Sequence, residues 1–338
     1  MTIARCAFLL VFTCACADTG VVGRICPRGK CDAGAEQEPD ARVSMDPAGG
    51  SCANGVVALS QRRLDVYLMI DDSSSMLVLW SWANTIAAIE AFLRDPSSAG
   101  MGVGLQFFGT SCEVAAYSTP LVPIAPLPDN ASQLVAAFPF VPLDETATLP
   151  AMQGAVAHAK AWATQHPERD VAVWLITDGL PDECESTVEN VAQVAREANQ
   201  GRPSIPTYVI VLGPIGALNV FASAGGTGDA KIVTEDSVPA LQMALSEVRD
   251  AAKRCAFSWP QELVGRYDAD LVEVVRESSD GTRTPLPALS DESGCDAARG
   301  GYYFHEATAA VVVCPAYCRA LGSDRLIATA RCSNSARN

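Results

Sequence analysis

The sequence predicts an α/β protein in which a mostly parallel six-stranded sheet carries helices on both faces and a small disulfide-rich β domain follows. Two observations predict the sheet. Residues 66–70 and 171–177 are apolar without alternation, which is typical of strands buried on both faces of a parallel sheet. Apolar residues at helical spacing recur between such runs. A third observation predicts the β domain, because five cysteines lie from Cys255 to Cys332.

Residues 64–250 contain the alternating strands and helices of the sheet. We expect strands at residues 66–70, 101–108, 113–118, 171–177, 207–212 and 230–233. Helices are expected at residues 86–93 and 131–138, after Thr146, after the capping box Ser186-x-x-Glu189, and at 238–249. Residues 120–128 are rich in proline and are expected to form a loop. The glycine cluster at 225–228 indicates a helix-ending turn.

After Cys255 the pattern changes to short strands without helices between them. We expect strands at residues 271–275, 301–304, 310–313 and 326–330, separated by turns at Asp280-Gly281 and Gly300-Gly301. A segment of roughly 80 residues buries only a modest core, so disulfides are expected to stabilise it. Residues 251–338 are therefore predicted to be a cysteine-rich β domain.

The first 63 residues show features of export and of a tether. Residues 1–17 contain one basic residue, an apolar run and Ala15-Cys16-Ala17, which predicts a signal peptide cleaved before Asp18. Cys16 also loosely resembles a bacterial lipoprotein acylation site, so secretion and lipid anchoring both stay open. Residues 18–63 are rich in Gly, Pro, Asp, Ala and Glu, which predicts a flexible tether.

Short oxygen-bearing side chains occur at three places along the predicted sheet. They are Asp71, Ser73 and Ser75 after the first strand, Thr146 before a helix, and Asp178 after a later strand. Ligands of open α/β sheets bind beyond the carboxyl ends of the strands, so these oxygens are placed to meet. Hard divalent cations prefer oxygen ligands. The alternative is a polar loop in which Ser75 only caps the next helix.

On these five residues, the chain resembles von Willebrand factor type A domains that carry a metal-ion-dependent adhesion site. All five fall on the metal-binding positions of that family, in its order and spacing. The resemblance implies a Rossmann-like domain at residues 64–250 that binds a divalent cation, Mg²⁺ first, with Mn²⁺ or Ca²⁺ as alternatives. It also implies a partner protein that offers a carboxylate to the cation. A type A fold with a vestigial site is the alternative.

Acidic residues surround the predicted site. They are Asp72, Glu145, Asp182, Glu183 and Glu185, and Glu145 stands where relatives commonly have glycine. One interpretation is a solvated acidic loop. The other is a rim that repels acidic partners in general, so that the true ligand offers one carboxylate flanked by basic residues.

Ten cysteines follow residue 17, an even number that predicts up to five disulfides in an exported chain. A zinc site on Cys314, Cys318 and His305 is the alternative, although paired Cys-x-x-Cys spacing is absent. Cys112 and Cys184 follow two strands at the end of the sheet that carries the predicted site. We expect them to form a disulfide that braces the rim.

The composition and motifs favour a binding protein over an enzyme. A formal net charge of -15 argues against nucleic acid or an anionic membrane as the partner. The sequence has no Gly-x-Ser-x-Gly and no His-Glu-x-x-His, and its three histidines, His158, His166 and His305, have no evident catalytic partner. Export signal, tether, type A domain and cysteine-rich tail together resemble bacterial cell-envelope proteins. The alternative function is a structural envelope protein in which the metal only stabilises the fold.

Overall fold

The computed structural model describes residues 55–78, 81–139, 141–142, 145–253, 255–259, 272–295, 300–305, 310–314, 317–318, 321 and 324–330. The predicted signal peptide and most of the predicted tether lie outside these ranges, and so does the proposed acylation site at Cys16. None of the helices in the described ranges has both the length and the hydropathy needed to span a membrane.

Strands of the described residues form three sheets. In chain order they are β1 (Gly55–Ala58), β2 (Ser60–Gln61), β3 (Leu64–Asp71), β4 (Gly102–Phe108), β5 (Val122–Pro126), β6 (Asp170–Thr177), β7 (Thr207–Leu212), β8 (Lys231–Val233), β9 (Ala256–Ser258), β10 (Val272–Glu277), β11 (Arg283–Pro285), β12 (Tyr302–His305), β13 (Ala310–Val313) and β14 (Arg325–Ala330). The α-helices are α1 (Ser75–Val78), α2 (Trp82–Leu93), α3 (Val114–Ser118), α4 (Ala131–Ala136), α5 (Thr148–Gln165), α6 (Val188–Gln200), α7 (Asn219–Ala224) and α8 (Val238–Ala252).

The central sheet has six strands in the order β5-β4-β3-β6-β7-β8. The pairs β4–β3, β3–β6, β6–β7 and β7–β8 are parallel, and β5 alone runs antiparallel at the edge. β3 and β6, the two continuously apolar runs of the sequence, are neighbours at the centre. The predicted fold class, a mostly parallel six-stranded sheet with helices, is therefore confirmed.

Helices cover both faces of this sheet, which explains why the central strands show no alternation. Along β3, Val66, Leu68 and Ile70 belong to one apolar core, which also contains buried residues of α2, α4 and α8. The intervening Tyr67 and Met69 belong to the other core, with residues of α3, α5, α6 and α7. Successive side chains of a strand point to opposite faces, so both sets must be apolar.

The third strand of the sheet differs from the prediction. Residues 113–118, expected as a strand, contain helix α3, and the strand β5 lies inside the expected proline-rich loop. Prolines are tolerated there because β5 is an edge strand that needs only one row of ladder hydrogen bonds. Gly104 on β4 makes the pairing possible, since a Cβ there would lie 2.6 Å from Ile124 Cγ1.

The remaining strands form two four-stranded sheets, β1-β14-β10-β11 and β12-β13-β9-β2. Each contains a strand from before the central sheet: Gly55–Ala58 pairs with β14, and Ser60–Gln61 pairs with β9. The sequence placed these residues in the tether. They form strands because Val57 and Leu59 are buried in the same apolar core as Val274 and Val311. The α/β segment is thus inserted between two strands of the β region.

Arg62 holds the connection between the β region and the central sheet. Its guanidinium donates to the carbonyls of Pro167 (2.6 Å) and Arg169 (2.8 Å) and pairs with Asp170 at 3.0 Å. Its backbone N–H donates to Ala256 O at 2.8 Å. A single buried arginine therefore contacts the start of β6 and the start of β9.

Three disulfides occur in the described residues: Cys112–Cys184, Cys255–Cys318 and Cys295–Cys314. The predicted bridge between Cys112 and Cys184 is confirmed. Cys314 and Cys318 are each bonded to another cysteine, so the zinc alternative is wrong. Cys26, Cys31, Cys52 and Cys332 lie outside the described residues. The bridges are consistent with an extracytoplasmic protein.

Candidate metal centre

The first motif of the site lies where β3 ends and the chain turns into α1. Asp71 is fully buried and is the last residue of the strand. Its Oδ1 accepts a hydrogen bond from Ser73 N–H at 2.9 Å. This bond closes a local turn that keeps Ser73 next to the end of the strand. The Ser73 and Ser75 hydroxyl oxygens lie 2.8 Å apart. The first three predicted residues are therefore brought together.

Asp178 joins this cluster from the neighbouring strand. It directly follows β6, which is parallel to β3, so the two strand ends meet at one edge of the sheet. The Ser75 hydroxyl donates to Asp178 Oδ1 at 2.6 Å. Thr177 also takes part, because its hydroxyl donates to Asp71 Oδ2 at 2.5 Å. The prediction missed Thr177, although a hydroxyl residue ending a buried strand beside Asp178 was a usable signal.

Thr146 reaches the same place from the loop before α5. A Cβ built on Gly179 would lie 3.8 Å from Thr146 Oγ1 and 4.0 Å from Ser75 Oγ, so both hydroxyls face the same backbone position. The loop is held by hydrogen bonds from Ala147 N–H to Gly109 O (3.0 Å) and from Asp182 N–H to Thr146 O (3.3 Å). Thr146 therefore lies near the Ser75 end of the cluster that Asp71, Ser73, Ser75 and Asp178 form at the carboxyl edge of the sheet.

The electrostatics of the two carboxylates fit a cation site. Burial, with a smaller contribution from the Asp178 charge, raises the pKa of Asp71 to about 6 against the lowering effect of hydrogen bonds from Ser73 and Thr177. Burial also raises the pKa of Asp178. Among the described residues, neither forms an ion pair with a basic side chain. Asp178 Oδ2 is buried and has no hydrogen-bond partner there.

The donor set consists of oxygen atoms only: two carboxylates and three hydroxyls. No group of three or more His, Cys, Asp or Glu side chains placed to hold a metal occurs in the described ranges, so a carboxylate-rich or thiolate site is not found there. Hydroxyl and carboxylate oxygens suit Mg²⁺, Mn²⁺ or Ca²⁺. The buried, unpartnered Asp178 Oδ2 and this donor chemistry together fit a hard divalent cation.

The rim of the candidate centre is acidic, as the sequence indicates. Glu145, Asp182, Glu183 and Glu185 are all exposed. The charge of Glu145 raises the pKa of Glu183, which shows that residues from two separate loops lie close together. The Cys112–Cys184 bridge joins the loop after β4 to the loop that carries Asp182 and Glu183.

The loop after β6 has an unusual backbone. Cys184 and Glu185 both adopt left-handed conformations, with φ of 59° and 57°, which non-glycine residues rarely do. Asn190 Nδ2 donates to Glu185 O at 2.7 Å, and the Thr187–Asn190 capping box starts α6 directly afterwards. The disulfide and these hydrogen bonds hold the loop in this conformation.

Comparisons with known proteins give structural neighbours only. No family model and no curated protein matches the sequence. The open conformation of the pilus adhesin SpaC from Lactobacillus rhamnosus GG is 12% identical, with a TM-score of 0.47, and the match covers 82% of this chain and 40% of that one. A von Willebrand factor type A structure from Catenulispora acidiphila is 16% identical, with a TM-score of 0.43, covering 82% and 60%.

A third neighbour is the ArnB paralog VWA2 from Sulfolobus acidocaldarius, 13% identical with a TM-score of 0.37, covering 69% of this chain and 56% of that one. Von Willebrand factor type A domains are thus among the structural neighbours. This chain spans about 40 to 60% of the length of the first structures it matches. At these identities and TM-scores, the neighbours do not indicate what this chain binds.

Proposed function

We propose that this chain is an exported adhesion-type module that binds another protein through a divalent cation. Asp71, Ser73, Ser75, Thr146 and Asp178 would hold the cation, with Mg²⁺ as the first candidate. The observation that carries the proposal is Asp178 Oδ2, which is buried without a hydrogen-bond partner among the described residues, beside a carboxylate and hydroxyls that are already assembled.

Each residue of the centre has a distinct part in this function. Asp71 and Asp178 balance the charge of a cation, and Thr177 together with the Ser73 N–H fixes the orientation of Asp71. The hydroxyls of Ser73, Ser75 and Thr146 supply neutral oxygens. Gly179 has no side chain to cover the oxygens of Thr146 and Ser75. A bound cation would supply a Lewis-acidic position for a carboxylate oxygen of the partner.

We also propose a cellular compartment and a class of function for this protein. We propose export, secreted or lipid-anchored, which the three disulfides support because such bonds persist in oxidising compartments. We propose a binding protein and not an enzyme. His158 supports this, since its Nδ1 contacts Ser118 O at 3.1 Å and its ring packs on Tyr67 inside the fold.

The test compares partner capture in Mg²⁺ and in chelator, using the full chain as bait against an envelope fraction. The matched variants are Asp178→Asn and Asp229→Asn, the latter an exposed aspartate before β8 at the opposite end of the sheet. We expect capture in Mg²⁺ by the wild type and Asp229→Asn, and none by Asp178→Asn or in chelator.

Other outcomes separate the alternatives. If Mg²⁺ raises the melting temperature but chelation leaves capture unchanged, the cation only stabilises the fold and the structural envelope role is favoured. If Mg²⁺ changes neither the melting temperature nor capture, the metal proposal is wrong. Incorporation of labelled fatty acid would show the lipid-anchored form, and an unlabelled mature protein would show the secreted one.

A further inference from the structure

The bridge between Cys112 and Cys184 is more accessible than the other two disulfides of the described residues. Cys112 is exposed and Cys184 is half-buried. Each of the other two bridges includes a buried cysteine, Cys255 in one and Cys314 in the other. A thiol reduces a disulfide by attacking one of its sulfur atoms, so the rate depends on access to that atom. A thiol in solution should therefore reduce the Cys112–Cys184 bridge first.

The accessible bridge belongs to the loop that forms one side of the candidate metal centre. Cys184 follows Asp178 in the loop after β6. The same loop contains Asp182, whose N–H donates to Thr146 O at 3.3 Å. The bridge to Cys112 is the covalent link between this loop and the loop after β4. A change at the bridge can therefore reach two of the residues that are predicted to hold the cation.

The bridge holds the loop against two effects that favour its movement. Cys184 and Glu185 keep left-handed conformations, with φ of 59° and 57°, which non-glycine residues adopt only where the surrounding structure imposes them. Glu183 also lies close to Glu145 of the opposite loop, and the charge of Glu145 raises the pKa of Glu183. The two carboxylates repel each other. Once the bridge is broken, both effects favour movement of the loop away from Thr146.

The charges around the bridge favour one kind of thiol as its reductant. Three exposed glutamates are adjacent to the two cysteines in the sequence: Glu113, Glu183 and Glu185. Residues 109–119 and 178–190 contain no lysine and no arginine. The local field therefore attracts a cationic thiol and repels an anionic one, and dissolved salt reduces both effects.

We propose that the Cys112–Cys184 bridge is a reaction site for a cationic dithiol, and that its reduction releases the cation from the candidate metal centre. This rests on the proposed function, because it regulates the same centre. One thiolate of the dithiol attacks Cys112 Sγ and displaces Cys184 as a thiolate. The second thiolate then attacks the mixed disulfide and displaces Cys112. The bridge gains two electrons and two protons and becomes two thiols, while the dithiol loses the same number and becomes a disulfide.

The first experiment measures which bridge of the full chain is reduced, and by which thiol. The probes are cysteamine, 2-mercaptoethanol and 2-mercaptoethanesulfonate, which are cationic, neutral and anionic, compared at equal concentrations of thiolate in chelator. Alkylation followed by peptide mass mapping identifies the reduced cysteines. We expect Cys112 and Cys184 to be labelled first, about tenfold faster with cysteamine than with 2-mercaptoethanesulfonate at low salt. High salt should reduce this difference.

Two variants test whether the local charge is the cause. Glu113→Gln should reduce the difference between the cationic and anionic thiols by about twofold, because it removes one charge beside Cys112. Glu197→Gln is the matched control, since Glu197 is exposed near the end of α6 and lies in neither loop. Reduction of Cys255–Cys318 or Cys295–Cys314 as fast as Cys112–Cys184 would overturn the proposal, as would rates that do not depend on the charge of the thiol.

The second experiment measures the coupling between the bridge and the centre. Isothermal titration should show Mg²⁺ binding about tenfold weaker in the selectively reduced chain than in the oxidised chain, within the usual range of coupling between two sites. Because such coupling is reciprocal, saturating Mg²⁺ should raise by the same factor the ratio of reduced to oxidised dithiothreitol that gives half-reduction. Asp178→Asn should abolish this shift, and Asp229→Asn should preserve it. Equal Mg²⁺ affinity of the two forms would overturn the proposal.

A readout that needs no metal separates this inference from the proposed function. If Mg²⁺ binds neither the oxidised nor the reduced chain, the proposed function fails. Amide hydrogen exchange of residues 179–185 in chelator then decides about the loop. Faster exchange after reduction would support opening of the loop by a thiol, and unchanged exchange would overturn it. If Mg²⁺ binds both forms equally, the proposed function stands and only the coupling to the bridge fails.

Discussion

The two buried aspartates of β3 differ in their partners, since one has an ion-pair partner and the other has only neutral hydrogen-bond donors. Asp65, near the start of the strand, accepts a hydrogen bond from Arg169 Nε at 2.5 Å and forms an ion pair with the same guanidinium. Asp71, at the end of the strand, accepts hydrogen bonds from the neutral N–H of Ser73 and hydroxyl of Thr177. Burying a carboxylate is costly unless it is paired. Asp65 therefore serves the fold, and Asp71 has the surroundings of a cation ligand.

This difference predicts opposite effects of the same substitution. In chelator at neutral pH, Asp71→Asn should raise the free energy of unfolding by about 1–3 kcal/mol, because it removes a buried charge that lacks an ion-pair partner. Asp65→Asn should lower it by about 3–5 kcal/mol, because Arg169 loses its partner. Urea unfolding of both variants measures these values. A loss of stability in Asp71→Asn as large as that in Asp65→Asn would contradict the assignment of Asp71 to the site.

His158 predicts a pH dependence of stability. Burial lowers the pKa of His158, opposed by its contact with Ser118 O, and its Nε2 has no hydrogen-bond partner among the described residues. A folded-state pKa below the unfolded value means that the unfolded chain binds the proton more readily. The stabilising contribution is therefore complete above about pH 6.5 and is lost as pH falls through the lower folded pKa.

We expect His158→Phe to reduce this dependence. The phenyl ring can keep the packing against Tyr67 and cannot take up a proton, although the contact with Ser118 O is lost. The free energy of unfolding of the variant, relative to the wild type, should stay level from pH 7.5 to about pH 6.5 and rise as the pH is lowered further to 5 (about 1.4 kcal/mol for each unit of pKa difference). Parallel stability curves for the two proteins across this range would refute the prediction.

Individual elements were predictable where the apolar pattern decides them. The strands at 207–212 and 310–313 lie where the sequence placed them, because each is an uninterrupted or nearly uninterrupted apolar run. The prediction of a strand at 113–118 is wrong. The strand that pairs with β4 is β5, because Gly104 leaves space for it and because an edge strand tolerates proline. Neither property is visible in the sequence of residues 113–126 alone.

Helix α5 depends on a glycine where it crosses α3. A Cβ on Gly154 would lie 2.6 Å from Tyr117 Cβ and 2.7 Å from Val114 O. Gly154→Ala should therefore destabilise the protein by about 1–3 kcal/mol, although alanine favours a helix by up to about 1 kcal/mol. Gly216→Ala is the matched control, since no heavy atom lies within 4 Å of its added Cβ. Thermal melts compare the two, and unchanged stability in Gly154→Ala would show that α3 can move away.

The Cys112–Cys184 bridge should matter for the site as well as for the fold. It joins two exposed loops beside the candidate centre, and neither Cys112 nor Cys184 belongs to the two apolar cores of the central sheet. We expect Cys112→Ser with Cys184→Ser to lower stability by about 2–4 kcal/mol and to weaken Mg²⁺ binding, because the loop that carries Asp178 and Asp182 loses its tie to the loop after β4. Isothermal titration with Mg²⁺ tests this, with Cys295→Ser plus Cys314→Ser as the control pair. Equal loss of Mg²⁺ affinity in both pairs would contradict a specific role.

At the scale of the molecule, the sequence patterns indicate where the candidate site lies more readily than where the β region begins. Asp71 and Asp178 lie at the ends of two apolar runs that form neighbouring parallel strands, and parallel strands bring their carboxyl ends to one edge. That residues 55–61 belong to the β region and not to a tether could not be found in this way. The segment 55–61 is short. Its strands pair with β14 and β9, which lie about 200 or more residues away in the sequence, so no local pattern shows this pairing.

The inserted arrangement makes the β region dependent on residues 55–61. A chain that starts at residue 64 lacks β1 and β2, leaves new edges on β14 and β9, and loses the buried side chains of Val57 and Leu59. Burial of two such side chains contributes about 3–6 kcal/mol. We expect amide hydrogen exchange to become fast in β14 and β9 while β3 and β6 stay protected, and a chain that starts at residue 54 is the control. Unchanged exchange in β14 would mean that residues 55–61 are dispensable and that the β region folds from the C-terminal strands alone.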